Sequence, residues 1–287
     1  MSDQPADHDA DRPAGEAADR HADDVFAGFS YLRFARDGDV LRVTIDRPDD
    51  PRNAVDETLH DELTRLMAVL GAETEARAVL LTGAGAAFSA GGDFRWFPEL
   101  QVPGRLEALR LDARRIVFGL LDVALPIVCA VNGPAVGLGA TIALLCDVIF
   151  LAESATLVDP HVRVGLVAGD GGTVAWPLAV GPARAKQYLL TGDPLPAAEA
   201  ERLGLVNRVV PDAELDAEAL AFARRLAELP PLAVRHTKAA VNALVKQAAL
   251  VSFEQAVAAE LVTFASEDHA EALAAWREKR PPHFEGR

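Results

Sequence analysis

Between residues 127 and 173 the sequence gathers the groups that could do chemistry on a carbonyl. His161 stands nine residues before Asp170, and Asp170 sits in the turn Gly169-Asp170-Gly171-Gly172. An imidazole titrates near neutrality, and a carboxylate at its far nitrogen fixes the tautomer and raises its basicity. That pairing suits a base, with His161 taking the proton and Asp170 orienting the ring. Upstream, the apolar run Ile127–Val131 stops at Asn132-Gly133-Pro134, and Gly137-Leu138-Gly139-Ala140-Thr141 turns into an apolar helix reaching Cys146. A strand, a tight turn and a helix N-terminus in that order aim unpaired backbone N–H groups at one point, with the helix dipole behind them. Such a point receives negative charge, on a phosphate or on an oxyanion forming at a carbonyl.

The flanking sequence must hold these groups in place. Tyr31–Ala35 and Val40–Ile45 alternate around Asp37-Gly38-Asp39, which predicts a hairpin. Leu59, Leu63, Leu66, Met67 and Leu70 recur at helical spacing up to Gly71, and Ala76 to Thr82 reads as a strand. A helix is predicted from Arg105 to about Val123, with Leu106, Leu109, Ile116 and Leu120 on one face. Pro182 reads as the first-turn proline of a helix ending near Leu190, and Asn207 to Val210 as a short strand. After Asp212 the pattern is helical almost to the end, broken at Pro230-Pro231 and near Ser266. Strands alternating with helices predict an α/β fold with a parallel sheet and right-handed crossovers. The organisation expected is an acidic disordered tail over 1–24, an α/β core over 25–211 and a helical region over 212–287.

Composition removes several function classes. The formal charge is −15, and residues 1–24 hold eight acids against two arginines with almost nothing apolar to bury. The remainder is acidic too, which argues against nucleic acid, whose affinity rests on phosphate contacts. No apolar run approaches the ~18 residues that suggest a membrane span, and no apolar leader of the export kind is visible. Cys129 and Cys146 both lie inside apolar runs and read as reduced, buried thiols rather than metal ligands or a disulfide. A cytoplasmic protein is expected.

Four separated motifs carry a resemblance. Ala130-Val131-Asn132-Gly133-Pro134-Ala135-Val136-Gly137-Leu138-Gly139 resembles the central motif of the crotonase superfamily, the enoyl-CoA hydratases and isomerases. Ala87-Phe88-Ser89-Ala90-Gly91-Gly92-Asp93 upstream, Leu190-Thr191-Gly192-Asp193 with Ala200 and Gly204-Leu205-Val206 downstream, and the ending Trp276 to Phe284 resemble the same family. The likeness spans Tyr31 to Phe284. It implies a crotonase-like spiral of βαβ units and a helical C-terminal region that assembles homotrimers, which often pair into hexamers. It implies an acyl-CoA substrate, with coenzyme A as part of that substrate and no separate cofactor or metal. It places the two N–H donors for a thioester enolate at Ala90 and Leu138. Arg52 and Ala54 fall in the loop that meets the carrier, Lys279 among the basic residues that often meet it, and Trp96 beside the acyl group. Asp93 and Asp147 read as structural.

One departure is informative. The two glutamates with which ordinary hydratases hold water fall here on Thr141 and His161, and neither is a carboxylate. Thr141 has no useful basicity near neutral pH, so hydration by a glutamate pair is not expected. The His161/Asp170 pair resembles instead oxocamphor hydrolase and related β-diketone hydrolases, although that branch carries a further histidine where this chain has Leu138. The leading reading is an enzyme acting on an acyl-CoA through a stabilised enolate. The alternatives are a carrier-free β-diketone hydrolase and a catalytically silent binding protein of the same fold.

Overall fold

The computed structural model of the chain describes residues 26–102 and 104–287, so the acidic stretch 1–24 lies outside the described residues. β1 (Leu32–Asp37) and β2 (Val40–Ile45) form the expected antiparallel hairpin. Asp56 then caps α1 (Glu57–Ala72), its carboxylate accepting from Leu59 N–H at 2.9 Å, and the five predicted apolar positions of this helix are buried. β3 (Ala78–Gly83) follows, then the short α2 (Phe97–Leu100) and the long α3 (Arg105–Asp122). The organising stretch supplies β4 (Ile127–Val131), β5 (Ala135–Val136), α4 (Leu138–Leu145), β6 (Val148–Ala152) and β7 (Thr156–Val158), with a 3₁₀ turn at His161–Val164. Then come α5 (Gly172–Thr191), β8 (Leu195–Pro196), α6 (Ala197–Arg202), β9 (Arg208–Val210), α7 (Leu215–Ala227), α8 (Pro231–Phe264) and α9 (Glu267–Glu278). α5 starts earlier than its proline suggests. Gly181 breaks it at φ 77° and ψ 158°, and Pro182 opens its second half.

The main sheet has the order β1-β2-β3-β4-β6-β9, and every pair after the hairpin is parallel. Its central strands β3 and β4 are buried along their whole length, as apolar runs in a parallel sheet must be. A second, three-stranded sheet of β5, β7 and β8 lies beyond. The predicted α/β architecture is thus present, and α7 packs across β3, β4 and β6. Each fully buried leucine or isoleucine here is worth roughly 1.5–3 kcal/mol. The loops that follow β3, β4 and β7 leave the two sheets on the side where the candidate site lies.

Asn53 and Asp147 fix two of those loops. The Asn53 side chain accepts from Arg47 N–H at 2.9 Å and donates to Ala84 O at 2.9 Å and Ala87 O at 3.1 Å. The strand β3 exit is thereby tied to the loop before α1. Asp147 accepts from Ile127 N–H and from Lys238 Nζ, both at 2.7 Å, joining β4 to α8 in the structural role expected of it.

Candidate active site

The loops meet in two connected chambers. The outer one, about 240 Å³, is lined by Asp50, Arg52, Ala54, the Ala90–Arg95 turn, Gly137, His161 and Trp276. The inner one, about 70 Å³, is lined by His60, Gly92, Trp96, Leu138, His161, Asp170 and Glu260 among apolar residues. Gly92 and His161 face both chambers. An apolar cluster of Phe97, Leu100, Leu166, Phe264 and Leu273 closes the inner side.

His161 is ringed by carboxylates. Its Nδ1 lies 2.6 Å from Asp159 Oδ1, so Nδ1–H donates to a carboxylate that is 1% exposed. Its Nε2 lies 3.6 Å from Asp170 Oδ2 and 3.8 Å from Glu260 Oε1. Burial alone would lower the imidazole pKa, but the charges of Asp159 and Asp170 and the Asp159 hydrogen bond hold it well above the usual histidine value. Burial raises Asp170 too, with the His161 charge opposing and the Asp159 charge adding to it. Burial pushes Glu260 up to about 8, against the pull of His161.

This geometry corrects the sequence reading of the dyad. Asp170 was expected to orient His161 from the far nitrogen, but Asp159, two residues away, occupies that position. Asp170 stands on the Nε2 side, beyond hydrogen-bond distance. Thr141 is fully buried and donates its hydroxyl to Asp170 Oδ1 at 3.3 Å, so it supports a carboxylate instead of binding substrate. Glu260 comes from α8, and the spacing around His161 gave no access to it. Its one signal was a lone acid in the apolar run Val257-Ala258-Ala259-Glu260-Leu261-Val262. Asp159 had a closer signal, the Asp-Pro-His sequence itself.

The donor pair also shifts. Ala90 N–H donates to Arg52 O at 2.8 Å and has nothing left for a ligand. Gly92, two residues on and lining both chambers, makes no N–H hydrogen bond among the described residues. Gly91 reverses the chain there at φ 73°, and a side chain on it would meet Val136 O at 2.9 Å. Leu138 is the first residue of α4, so its N–H has no intrahelical partner, as expected. Gly137 makes that approach possible at φ 52°, with the His161 ring 3.3 Å from where its Cβ would stand. Gly92 and Leu138 therefore present open N–H groups to the chamber that holds His161.

Two arginines stand at the mouth. Arg52 pairs with Asp50 at 3.2 Å and is largely exposed, and Arg95 binds Asp93 at 2.6 Å. Burial would raise Asp93, but hydrogen bonds from Arg95 and the buried Arg47 hold it at about 2. It fastens the turn and has no spare capacity for chemistry. Ala54 lines the outer chamber, and its carbonyl accepts from Arg47 at 2.6 Å. Trp96 lines the inner chamber, next to His60 with ring centroids 5.6 Å apart. Lys279 is not brought to either chamber: the chain leaves α9 there in a left-handed turn at φ 55°, and Lys279 lines a surface depression on the other side of Trp276.

Comparison with known proteins points the same way. The sequence profile of the enoyl-CoA hydratase/isomerase family matches residues 35–287. A probable enoyl-CoA hydratase of Mycobacterium bovis is 34% identical over 264 residues, covering 89% of this chain and 98% of that one. The crystal structure of an enoyl-CoA hydratase/isomerase from Mycobacterium paratuberculosis is 43% identical and superimposes with a TM-score of 0.82, over 86% of this chain and 99% of that one. A β-diketone hydrolase from the cyanobacterium Anabaena, solved with bound (S)-3-oxocyclohexyl acetic acid, is 30% identical with a TM-score of 0.78, over 84% and 96% of the two chains.

Proposed function

This chain belongs to the enoyl-CoA hydratase/isomerase family, and on that footing we propose that it acts on an acyl-CoA thioester through an enolate, with His161 moving the proton. The observation that carries the reading is the pair of open N–H groups, Gly92 and Leu138, in the chamber that also holds His161. A thioester oxygen seated between them gains stabilisation as it becomes an enolate oxygen, because both donors are fixed before reaction. The α C–H bond breaks, its electron pair moves toward that oxygen, and the proton goes to Nε2 of neutral His161. Asp159 keeps Nε2 as the accepting nitrogen and stabilises the imidazolium that results. Asp170 and Glu260 then share the proton. Arg52 and Arg95 at the mouth suit a phosphate-bearing carrier, and no cofactor beyond that carrier enters the scheme. The test is exchange of the α-hydrogens of butyryl-CoA in D₂O, followed by proton NMR. Exchange by the native protein and its loss in His161→Ala is the expected result; no exchange by the native protein sinks the reading.

A second reading has its own support. Carrier-free hydrolysis of a β-diketone also needs a held oxyanion and a proton donor for the departing carbon, and the β-diketone hydrolase similarity favours it. Formation of a keto acid from a bicyclic 1,3-diketone, with butyryl-CoA left unexchanged, would select it.

A further inference from the structure

Two residues that line the inner chamber carry polar groups that the proton chemistry does not use. Trp96 Nε1 is buried and has no hydrogen-bond partner. His60 is 6% exposed, lines the same chamber and makes no ring hydrogen bond among the described residues. The two rings lie 5.6 Å apart at 46°, on α1 and at the start of α2, and neither lines the outer chamber. Their neighbours Leu100, Leu109 and Ala113 offer no polar atom on their side chains.

A buried N–H donor without an acceptor is costly, so its retention calls for an occupant that supplies one. Burial lowers the His60 pKa, so the ring is neutral and offers one donor and one acceptor. The chamber also carries the carboxyls of Asp170 and Glu260, which disfavours a further carboxylate on the occupant. A neutral oxygen fits both conditions.

We propose that Trp96 and His60 form a specificity subsite for a hydroxyl or keto oxygen on the far part of the substrate's acyl chain. Trp96 Nε1–H donates to that oxygen, and His60 makes the second hydrogen bond. A purely hydrocarbon acyl group leaves both unpaired, and sites built to bond a substrate oxygen reject the analogue lacking it strongly. This inference rests on the acyl-thioester reading above and names its substrate class.

The experiment compares hexanoyl-CoA with its 4-oxo, 5-oxo and 5-hydroxy analogues, by calorimetric binding and by α-hydrogen exchange. Native protein should favour at least one oxygenated chain by tenfold or more. Trp96→Phe keeps an aromatic ring and removes the donor, and should bring that preference to within threefold. His60→Phe should reduce it in the same direction, with melting temperature as the check on folding. The same chains on N-acetylcysteamine test the subsite without the CoA phosphates. Equal handling of all chains by native protein overturns the subsite and leaves the acyl-thioester reading standing. A preference that survives in both variants also overturns it. If no chain binds on either carrier, the subsite and the acyl-thioester reading fall together.

Discussion

The sharpest consequence of the geometry concerns Asp159, which sequence reasoning passed over. Asp159→Asn replaces the carboxylate 2.6 Å from His161 Nδ1 with an amide of nearly the same shape. The amide can donate to Nδ1, which leaves the proton on Nε2 and removes the lone pair that faces the chamber. It also deletes a buried negative charge that stabilises the imidazolium. Loss of a buried orienting aspartate of this kind costs about 10⁴ in kcat where the geometry is otherwise kept. A loss of about 10³ or more is expected here, equivalent to about 4 kcal/mol of barrier. Asp170→Asn should cost no more than about a hundredfold, since a contact at 3.6 Å is not a hydrogen bond and general acid–base groups span ~10²–10⁴.

The assay is α-hydrogen exchange of butyryl-CoA in D₂O across pH, with melting temperature measured on the same preparations. The carboxylates hold His161 well above the ordinary histidine range, so the neutral, basic form increases as pH rises through that elevated value. The log of kcat/KM for native protein should therefore climb with pH to a limb above the ordinary histidine range. Residual activity of Asp159→Asn should show that limb at lower pH, because the larger stabilising charge is gone. Equal losses in the two variants, or a larger loss in Asp170→Asn, would return the orienting role to Asp170 and refute the assignment.

Three further outcomes are expected. Crotonyl-CoA should be hydrated weakly or not at all, because Thr141 and His161 stand where two carboxylates serve ordinary hydratases; a kcat within the common ~1–1000 s⁻¹ range would show that reasoning wrong. Glu260→Gln should match the stability of native protein below pH ~4.5, where Glu260 is protonated folded and unfolded alike, and become progressively more stable by comparison as pH rises from there to about 8, levelling off above it. Across that window native protein must take up a proton at Glu260 in order to fold, so a melting-temperature difference that does not change with pH contradicts the raised Glu260. Sedimentation should give a trimer or hexamer that covers the exposed Leu244, Val251 and Val262 of α8, and truncation after Ala265 should impair it; a stable monomer at micromolar concentration excludes this assembly.

Much of the fold was legible because its signals are local. The β1–β2 hairpin follows from alternation around one glycine turn, and α1 from a stripe of four leucines and Met67 that the helix then buries. The breaks at Pro230 and Ser266 fall where α7, α8 and α9 meet. The candidate site was legible only where its residues share a segment. His161, Asp170 and Leu138 lie within one stretch and do converge. Glu260 arrives from a helix about a hundred positions later, and only tertiary packing sets it beside Nε2. The misplacement of Ala90 has a different cause. Which amide of a glycine turn stays open depends on which carbonyl reaches it, and Arg52 O comes from a separate loop.

Loss of the usual glutamates does not by itself imply a silent binding protein. A packing histidine needs one partner, whereas His161 has a hydrogen-bonded carboxylate on one nitrogen and two more carboxyls near the other. Three buried acids around one imidazole are destabilising, since burial raises both Asp170 and Glu260. A core under selection for stability alone is better served by apolar residues of similar volume. The cost is explained if the cluster must pass a proton between Nε2 and a substrate while keeping its total charge nearly constant. A proton that His161 takes up can pass to Asp170 or Glu260, which lie 3.6 and 3.8 Å from Nε2. That property is useful to an enzyme that makes and quenches an enolate. It is of no use to a scaffold.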